Sequence, residues 1–159
     1  MAQAQFNQGD KLLNLGFGVN SYYGGGIPLS GSFEVGITDE VSVGAGFDYL
    51  GYRYSYPGGR WNYNIMYFGG RGSFHLSELL ELGVKEMDLY AGASVGFRTF
   101  TWREDYQFGT VGFSDRYDNG LFLGVFVGAR YYFAENVGVF GEFGVGGSSN
   151  AKLGLAFRF

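Results

Sequence analysis

Apolar side chains alternate with glycine or polar side chains along eight segments of this chain. In the first segment, Leu13, Leu15 and Phe17 are separated from one another by asparagine or glycine. Neighbouring side chains of a β-strand point to opposite faces, so each segment predicts a strand with one apolar face and one small or polar face. The predicted strands are residues 11–22, 29–37, 41–53, 62–76, 88–101, 120–133, 137–146 and 151–159.

The composition excludes several other classes of protein. Glycine accounts for 30 of the 159 residues, and each glycine destabilises a helix by about 1 kcal/mol, which excludes a helical bundle. Aromatic residues make up 20% of the chain, too many for an intrinsically disordered protein. The chain has no cysteine for a disulfide framework, and its net charge of -4 argues against a nucleic-acid partner.

The predicted strands suit a barrel that crosses a membrane. Several contain about 10 residues, the length that a tilted strand needs to cross a bilayer. A soluble, lipocalin-like barrel would have to expose the glycine-rich face to water, yet only 16% of the residues are charged. Soluble surfaces carry about 25–35% charged residues. We therefore predict an all-β fold, an eight-stranded antiparallel up-and-down transmembrane β-barrel.

The connections between the predicted strands alternate in length. Residues 38–40 and 134–136 are tight turns, whereas residues 54–61 and 102–119 form long loops. In outer-membrane barrels the short turns are periplasmic and the long loops extracellular. We expect that orientation here, with both termini periplasmic. The connection over residues 77–87 breaks the pattern, because it should be short and is long.

The first residues read as the remnant of a processed signal sequence. The stretch Ala2-Gln3-Ala4 has the small-residue pattern that precedes a cleavage site, and Met1 would then come from expression. An ordinary cytosolic start is the alternative. We expect residues 1–10 to be a mature, periplasmic N-terminal segment and residues 11–159 to be the barrel.

The end of the chain carries the clearest family resemblance. Residues 151–159 form an amphipathic strand that closes on phenylalanine, and residues 131–140 resemble a strand, a turn and a further strand of the same family. The chain resembles the small eight-stranded outer-membrane barrels of the OmpA, OmpX and opacity-protein group and the outer-membrane β-barrel domains of Bacteroidota. The resemblance implies a place in the bacterial outer membrane, in contact with its lipid and lipopolysaccharide. It also implies that Phe157 and Phe159 form the signal that the barrel-assembly machinery reads.

Eight charged residues fall on the face that a membrane barrel turns inward. A barrel of this size is just wide enough for side chains to fill, and buried charges must pair. We predict an ion-paired interior that blocks the bore. The alternative is a narrow, weakly anion-preferring channel, lined by Arg71, Arg130 and Glu142, because the basic residues exceed the acidic ones by two. The predicted interior charge network is Glu34, Asp48, Arg71, Arg98, Arg130, Glu142, Lys152 and Arg158.

The sequence offers little for catalysis. His75 is the only histidine, and Ser73, Ser77 and Glu78 lie near it, a set of residue types that lipid-modifying barrel enzymes use. The chain has no spacing of side chains typical of a metal site. We predict no catalytic, cofactor-binding or metal-binding residues, and we keep a lipid-modifying enzyme as the least favoured hypothesis.

Two connections have the composition of partner-binding surfaces. Aromatic residues interleaved with arginine, as in the loop at residues 102–119, are enriched in recognition surfaces. The connection at residues 77–87 would expose leucines unless it packs against the barrel, lipid or another protein. We therefore predict a non-enzymatic structural anchor, or an interaction subunit of an outer-membrane assembly. The candidate partner-contacting residues are Leu79, Leu80, Leu82, Trp102, Tyr106, Phe108, Phe113 and Tyr117.

Overall fold

Eight antiparallel strands close into a barrel in which each strand pairs with its neighbours in sequence and β1 pairs with β8. The computed structural model describes residues 6–21, 26–76, 84–106 and 119–159, except for the side chains of Tyr54, Tyr56, Trp61 and residues 102–106. The predicted antiparallel, up-and-down order is confirmed. The strands are β1 (Lys11–Ser21), β2 (Leu29–Gly36), β3 (Val41–Tyr56), β4 (Gly59–His75), β5 (Met87–Tyr106), β6 (Gly120–Tyr132), β7 (Val137–Val145) and β8 (Ser149–Arg158).

Most strand boundaries lie within two residues of the predicted ones, and the exceptions cluster in β3, β4 and β5. The prediction of a long loop at residues 54–61 is wrong. β3 and β4 instead continue through these residues to a tight turn at Pro57 and Gly58, where Gly58 adopts a φ of 117°. The aromatic residues of this stretch pair across the hairpin, with Tyr54 opposite Trp61. The alternation of apolar with small or polar residues is weaker in this stretch. Aromatic residues nevertheless favour paired strands.

The barrel turns its apolar side chains outward. On β6 the outward residues Leu121, Leu123 and Val125 are 73%, 75% and 53% exposed. Phe126 and Arg130, which have the opposite parity on the same strand, are buried. Water is a poor solvent for such a continuous apolar surface, and lipid is a good one. Within the described part of the chain, no helix is long and apolar enough to span a bilayer.

The two ends of the barrel differ. At one end, called here the termini end, lie the start of β1, the end of β8 and the turns at residues 37–40 and 133–136. The other end, the loop end, carries a three-stranded extension made of residues 50–56, 59–65 and 99–106. These residues lie past the last pairs with β2 and β6, which are Leu29 with Tyr49 and Arg98 with Gly120.

Candidate functional site

A buried polar cluster fills the interior near the termini end. Arg130 is fully buried at its centre, and its Nη1 lies 2.8 Å from Oδ2 of Asp88. The same guanidinium donates to Asn14 over 3.1 Å and to Glu34 over 3.4 Å. The ring of Tyr90 covers it at 3.9 Å. Four strands thus converge on one guanidinium, which fixes the interior of the barrel at this level.

Arg71 joins the cluster to the middle of the barrel. Its Nε lies 2.9 Å from Glu34 of β2 and its Nη2 lies 2.8 Å from Glu142 of β7, so it bridges two carboxylates from different strands. The Phe126 ring lies 4.0 Å from its guanidinium carbon, and Tyr90 donates to Glu142 over 3.2 Å. Because the carboxylates and guanidinium groups pair over short distances, the cluster compensates most of the desolvation that burial imposes on each charge.

A chain of short hydrogen bonds links two of these carboxylates through His75. Nδ1 of His75 lies 2.8 Å from Oδ1 of Asp88, and Nε2 lies 2.9 Å from the hydroxyl of Ser42. Ser42 in turn donates to Oε2 of Glu34 over 2.7 Å. All four side chains are buried. The chain therefore runs Asp88, His75, Ser42, Glu34 across β5, β4, β3 and β2.

Ser42, His75 and Asp88 have the spacing of a hydrolytic triad but not its arrangement. The hydroxyl of a nucleophilic serine must reach substrate and donate to the histidine. Here Ser42 has no exposed surface, and its hydroxyl donates to Glu34. The sequence grouped His75 with Ser73, Ser77 and Glu78, but His75 contacts Ser42 and Asp88 instead. Residues 77 and 78 lie outside the described residues.

Sequence reasoning missed Asp88 and Ser42, although the signal for both was present. Asp88 has the same parity on β5 as Gly92 and Ser94, which the alternation already assigned to the inner face. Ser42 likewise shares its parity with Gly44. Asp88 also lowers the predicted excess of basic over acidic interior residues from two to one, because it adds a fourth interior carboxylate.

A second ion pair lies toward the loop end. Lys152 contacts Asp48 over 2.8 Å, and Ser148 donates to the same carboxylate over 2.6 Å. Between this pair and Arg71 lies a cavity of about 60 Å³, with Glu142 on its wall. Gly46, Gly70 and Gly147 line part of this wall, and a Cβ atom on each would meet no atom closer than 3.5 Å.

Of the eight predicted interior charges, six form the ion pairs just described and two lie elsewhere. Arg158 lies at the termini end, where it donates to the backbone carbonyl of Glu135 over 3.3 Å and stacks on Tyr132 at 4.9 Å. Arg98 lies on β5 opposite Gly120, at the rim of the loop end, and is partly exposed.

The N-terminal segment, residues 6–10, closes the termini end. Phe6 is buried and stacks on His75 with ring centroids 3.6 Å apart and planes 9° from parallel. Two backbone hydrogen bonds hold the segment to Gly36. The Gly9 amide donates to the Gly36 carbonyl over 2.9 Å, and the Gly36 amide donates to the Asp10 carbonyl over 2.8 Å. Gly36 is required here, because a Cβ atom would lie 2.9 Å from the Phe6 ring.

The outer face of the three-stranded extension changes from apolar to polar within three rows of residues. The Tyr49 hydroxyl donates to Asn64 over 3.2 Å at the boundary, and Arg53 donates to Asn62 over 3.2 Å beyond it. The change marks the edge of the surface that suits lipid. From the barrel outward, the rows are Phe47–Phe68–Phe97, Tyr49–Met66–Thr99 and Gly51–Asn64–Thr101.

The inner face of the extension has the opposite pattern and is apolar. Leu50 and Ile65 are buried at its base, and Tyr63 packs against them. The Tyr63 ring lies 5.2 Å from Tyr52 and 6.0 Å from Phe100, so aromatic rings cross all three strands. Burial, with a smaller contribution from Tyr52, raises the pKa of Tyr63 above its ordinary value.

Most of the predicted partner-contacting residues lie outside the described residues. Trp102 and Tyr106 lie on β5, where their backbones pair with Tyr63 and Gly59 of β4. The prediction that the loop begins at residue 102 is therefore wrong, because β5 continues to Tyr106. The predicted residues beyond the described ranges are Leu79, Leu80, Leu82, Phe108, Phe113 and Tyr117.

The two C-terminal phenylalanines lie at the seam that closes the barrel. Phe157 pairs with Leu13 of β1 and with Val137 of β7. Phe159 exchanges backbone hydrogen bonds with Lys11 over 2.9 and 3.1 Å, and its ring is exposed. Among the described residues, no group of three or more histidine and carboxylate side chains is placed to hold a metal ion.

Solved structures with the same fold are membrane barrels. OprG, an outer membrane protein of Pseudomonas aeruginosa, aligns with 100% of this chain and 99% of its own at 13% identity, with a TM-score of 0.63. Ail, the attachment invasion locus protein of Yersinia pestis, aligns over 96% and 99% at 11% identity and a TM-score of 0.58. A de novo designed transmembrane β-barrel aligns over 98% and 99% at 16% identity and a TM-score of 0.60.

These similarities establish the fold. The chain has the closed, eight-stranded transmembrane β-barrel fold of small outer-membrane proteins, which confirms the resemblance stated from the sequence. No protein-family model matches the chain, and no curated protein matches it by sequence. The narrower resemblance to the barrel domains of Bacteroidota stays a prediction.

Proposed function

We propose that this protein is a non-enzymatic outer-membrane anchor that presents a rigid interaction surface above the membrane, as a subunit of an outer-membrane assembly. The three-stranded extension carries the proposal. It rises about 20 Å along its strands past the barrel rim, and its outer face turns polar where the apolar surface of the barrel ends. A paired sheet is a more rigid platform for a partner than a loop of the same length.

The ion-paired interior supports an anchor rather than a channel. Arg71 and Arg130 occupy the middle and the termini end of the bore, and each contacts two carboxylates. Opening this cluster would separate buried charges, which costs several kcal/mol per ion. The burial of Ser42 supports the absence of catalysis, because a hydrolytic serine must be reachable by substrate.

The proposed setting is the bacterial outer membrane. The termini end, with residues 1–10 and the short turns, would face the periplasm, and the three-stranded extension would lie outside the cell. Lipid and lipopolysaccharide would surround the apolar face of the barrel. The barrel-assembly machinery would read Phe157 and Phe159, which lie together at the β1–β8 seam.

The proposal is tested by photo-cross-linking in cells from single positions on the described surface. A photoreactive residue at Ser55, exposed on the extension, should give a discrete adduct with another protein. The matched control is Glu135, exposed in a turn at the termini end, which should not give that adduct. Extraction in mild detergent should then recover the same protein in stoichiometric amount. Adducts with lipid alone at Ser55, together with a lone barrel-sized particle, would contradict an interaction subunit.

A further inference from the structure

The hydrogen-bond chain through His75 fixes where its protons lie. The Ser42 hydroxyl has one proton, and it lies within hydrogen-bond distance of both Glu34 and His75 Nε2. Glu34 is also 2.9 Å from Nε of Arg71, which favours an ionised, proton-accepting carboxylate. The Ser42 proton therefore goes to Glu34, and Nε2 of His75 must carry a proton of its own to bond the Ser42 oxygen.

The other ring nitrogen carries a proton for a similar reason. Nδ1 of His75 faces Asp88, whose second oxygen accepts from Arg130 over 2.8 Å. An ionised Asp88 can only accept, so Nδ1 donates. A histidine that donates from both nitrogens is an imidazolium, with a charge of +1. With Glu34 and Asp88 ionised, any neutral form of His75 leaves one of these short contacts between two acceptors.

The charges of the buried polar cluster point the same way. Glu34, Asp88 and Glu142 are three carboxylates, whereas Arg71 and Arg130 are two guanidinium groups. The cluster thus carries one uncompensated negative charge in a buried interior, which is costly. A proton on His75 brings the cluster to neutrality.

We propose that His75 is an imidazolium in the folded barrel and that this charge holds the N-terminal segment in the termini end as a pH-sensitive latch. An aromatic ring attracts a cation over its face, and Phe6 lies face to face with His75 at 3.6 Å. Among the described residues, the other groups that face His75 are Tyr90 of β5, with its ring centroid 6.1 Å away, and the uncharged Ser42 of β3. Loss of the proton removes this attraction and leaves Asp88 and Glu34 undercompensated, so the segment is released.

The protonation is measured directly because His75 is the only histidine. In the full chain with ¹⁵N-labelled histidine, folded in detergent micelles, the two ring nitrogens report the charge state by NMR. At about pH 8, above the ordinary histidine pKa of about 6.5, we expect the closely spaced pair of shifts of an imidazolium. Widely separated shifts, which indicate a neutral ring, would overturn the proposal.

The latch is tested by hydrogen exchange of the Gly9 amide, which bonds to Gly36. As the pH rises through the titration of His75, this amide should exchange at least about fivefold faster than base catalysis alone explains. The Ala134 amide, which donates to the Val137 carbonyl in a turn at the same end, is the reference. Its exchange rate measures the increase that base catalysis alone produces. The step should vanish in His75→Gln and also in Phe6→Leu, which keeps the cluster intact. A step of equal size in Phe6→Leu, or no step in the parent chain, would refute the latch.

Discussion

Arg130 shows how strongly a single interior residue determines stability in this barrel. Its guanidinium contacts Asp88, Glu34 and Asn14, and it is fully buried. We expect Arg130→Leu to destabilise the folded barrel by about 3–5 kcal/mol, because Asp88 and Glu34 each lose a guanidinium partner while they stay buried. Urea unfolding in detergent or lipid measures the change.

Arg158→Leu is the matched control for that substitution. Arg158 is partly exposed at the termini end, where its guanidinium donates to the Glu135 carbonyl and lies over the Tyr132 ring. Its removal should change the free energy of unfolding by at most about 1 kcal/mol, within the range of an exposed charge. Equal losses for the two arginine variants would show that burial of the ion pairs does not decide stability.

Val125 tests which face of the barrel meets lipid. It lies on the outer face near the middle of β6 and is 53% exposed. Val125→Arg should cost about 2–4 kcal/mol in lipid, the penalty for arginine near the bilayer midplane of a barrel. Val125→Leu keeps the face apolar and should be close to neutral. Unchanged unfolding of the arginine variant would contradict the assignment of this face to lipid.

The alternation of residues predicted which charged side chains share the inner face, but not which of them meet. Parity alone placed Glu34, Arg71 and Glu142 inside. Their contacts depend on the register of each strand against its neighbours, which sets the position of each residue along the barrel axis. The role of His75 followed from Ser42 and Asp88, which are 33 and 13 residues away in sequence. Such contacts follow from closure of the barrel, which no local pattern encodes.

At the scale of elements, β4 and β5 approach each other closely where two glycines face one another. Gly69 lies opposite Gly96, and a Cβ atom on Gly69 would lie 2.5 Å from the Gly96 Cα. We expect Gly69→Val to cost about 1–3 kcal/mol by overpacking this contact. The adjacent Gly70 is the control, because its Cβ would meet nothing closer than 3.9 Å. Gly70→Val should therefore be tolerated, and similar losses at both positions would contradict the steric explanation.

The three-stranded extension was the element that the sequence described least well. Within the barrel an apolar outer face alternates with a glycine-rich inner face, so period-two counting finds the strands. In the extension the apolar residues, such as Leu50 and Tyr52, move to the inner face while Gly51 and Arg53 take the outer one. The apolar residues thus change from the outer to the inner face at the membrane edge. A count of period-two alternation stops matching there, although the strand continues.

At the scale of the whole molecule, the barrel should be closed to ions. Purified protein inserted into a planar bilayer is expected to give no conductance steps, because Arg71 and Arg130 bridge the carboxylates that line the bore. A variant that replaces Arg71, Glu34 and Glu142 with alanine removes paired side chains from the middle of the bore, and it should conduct if it folds. If the parent chain gives no conductance steps and this variant does, the ion pairs are what blocks the bore. Anion-preferring steps in the parent chain would instead support the narrow channel.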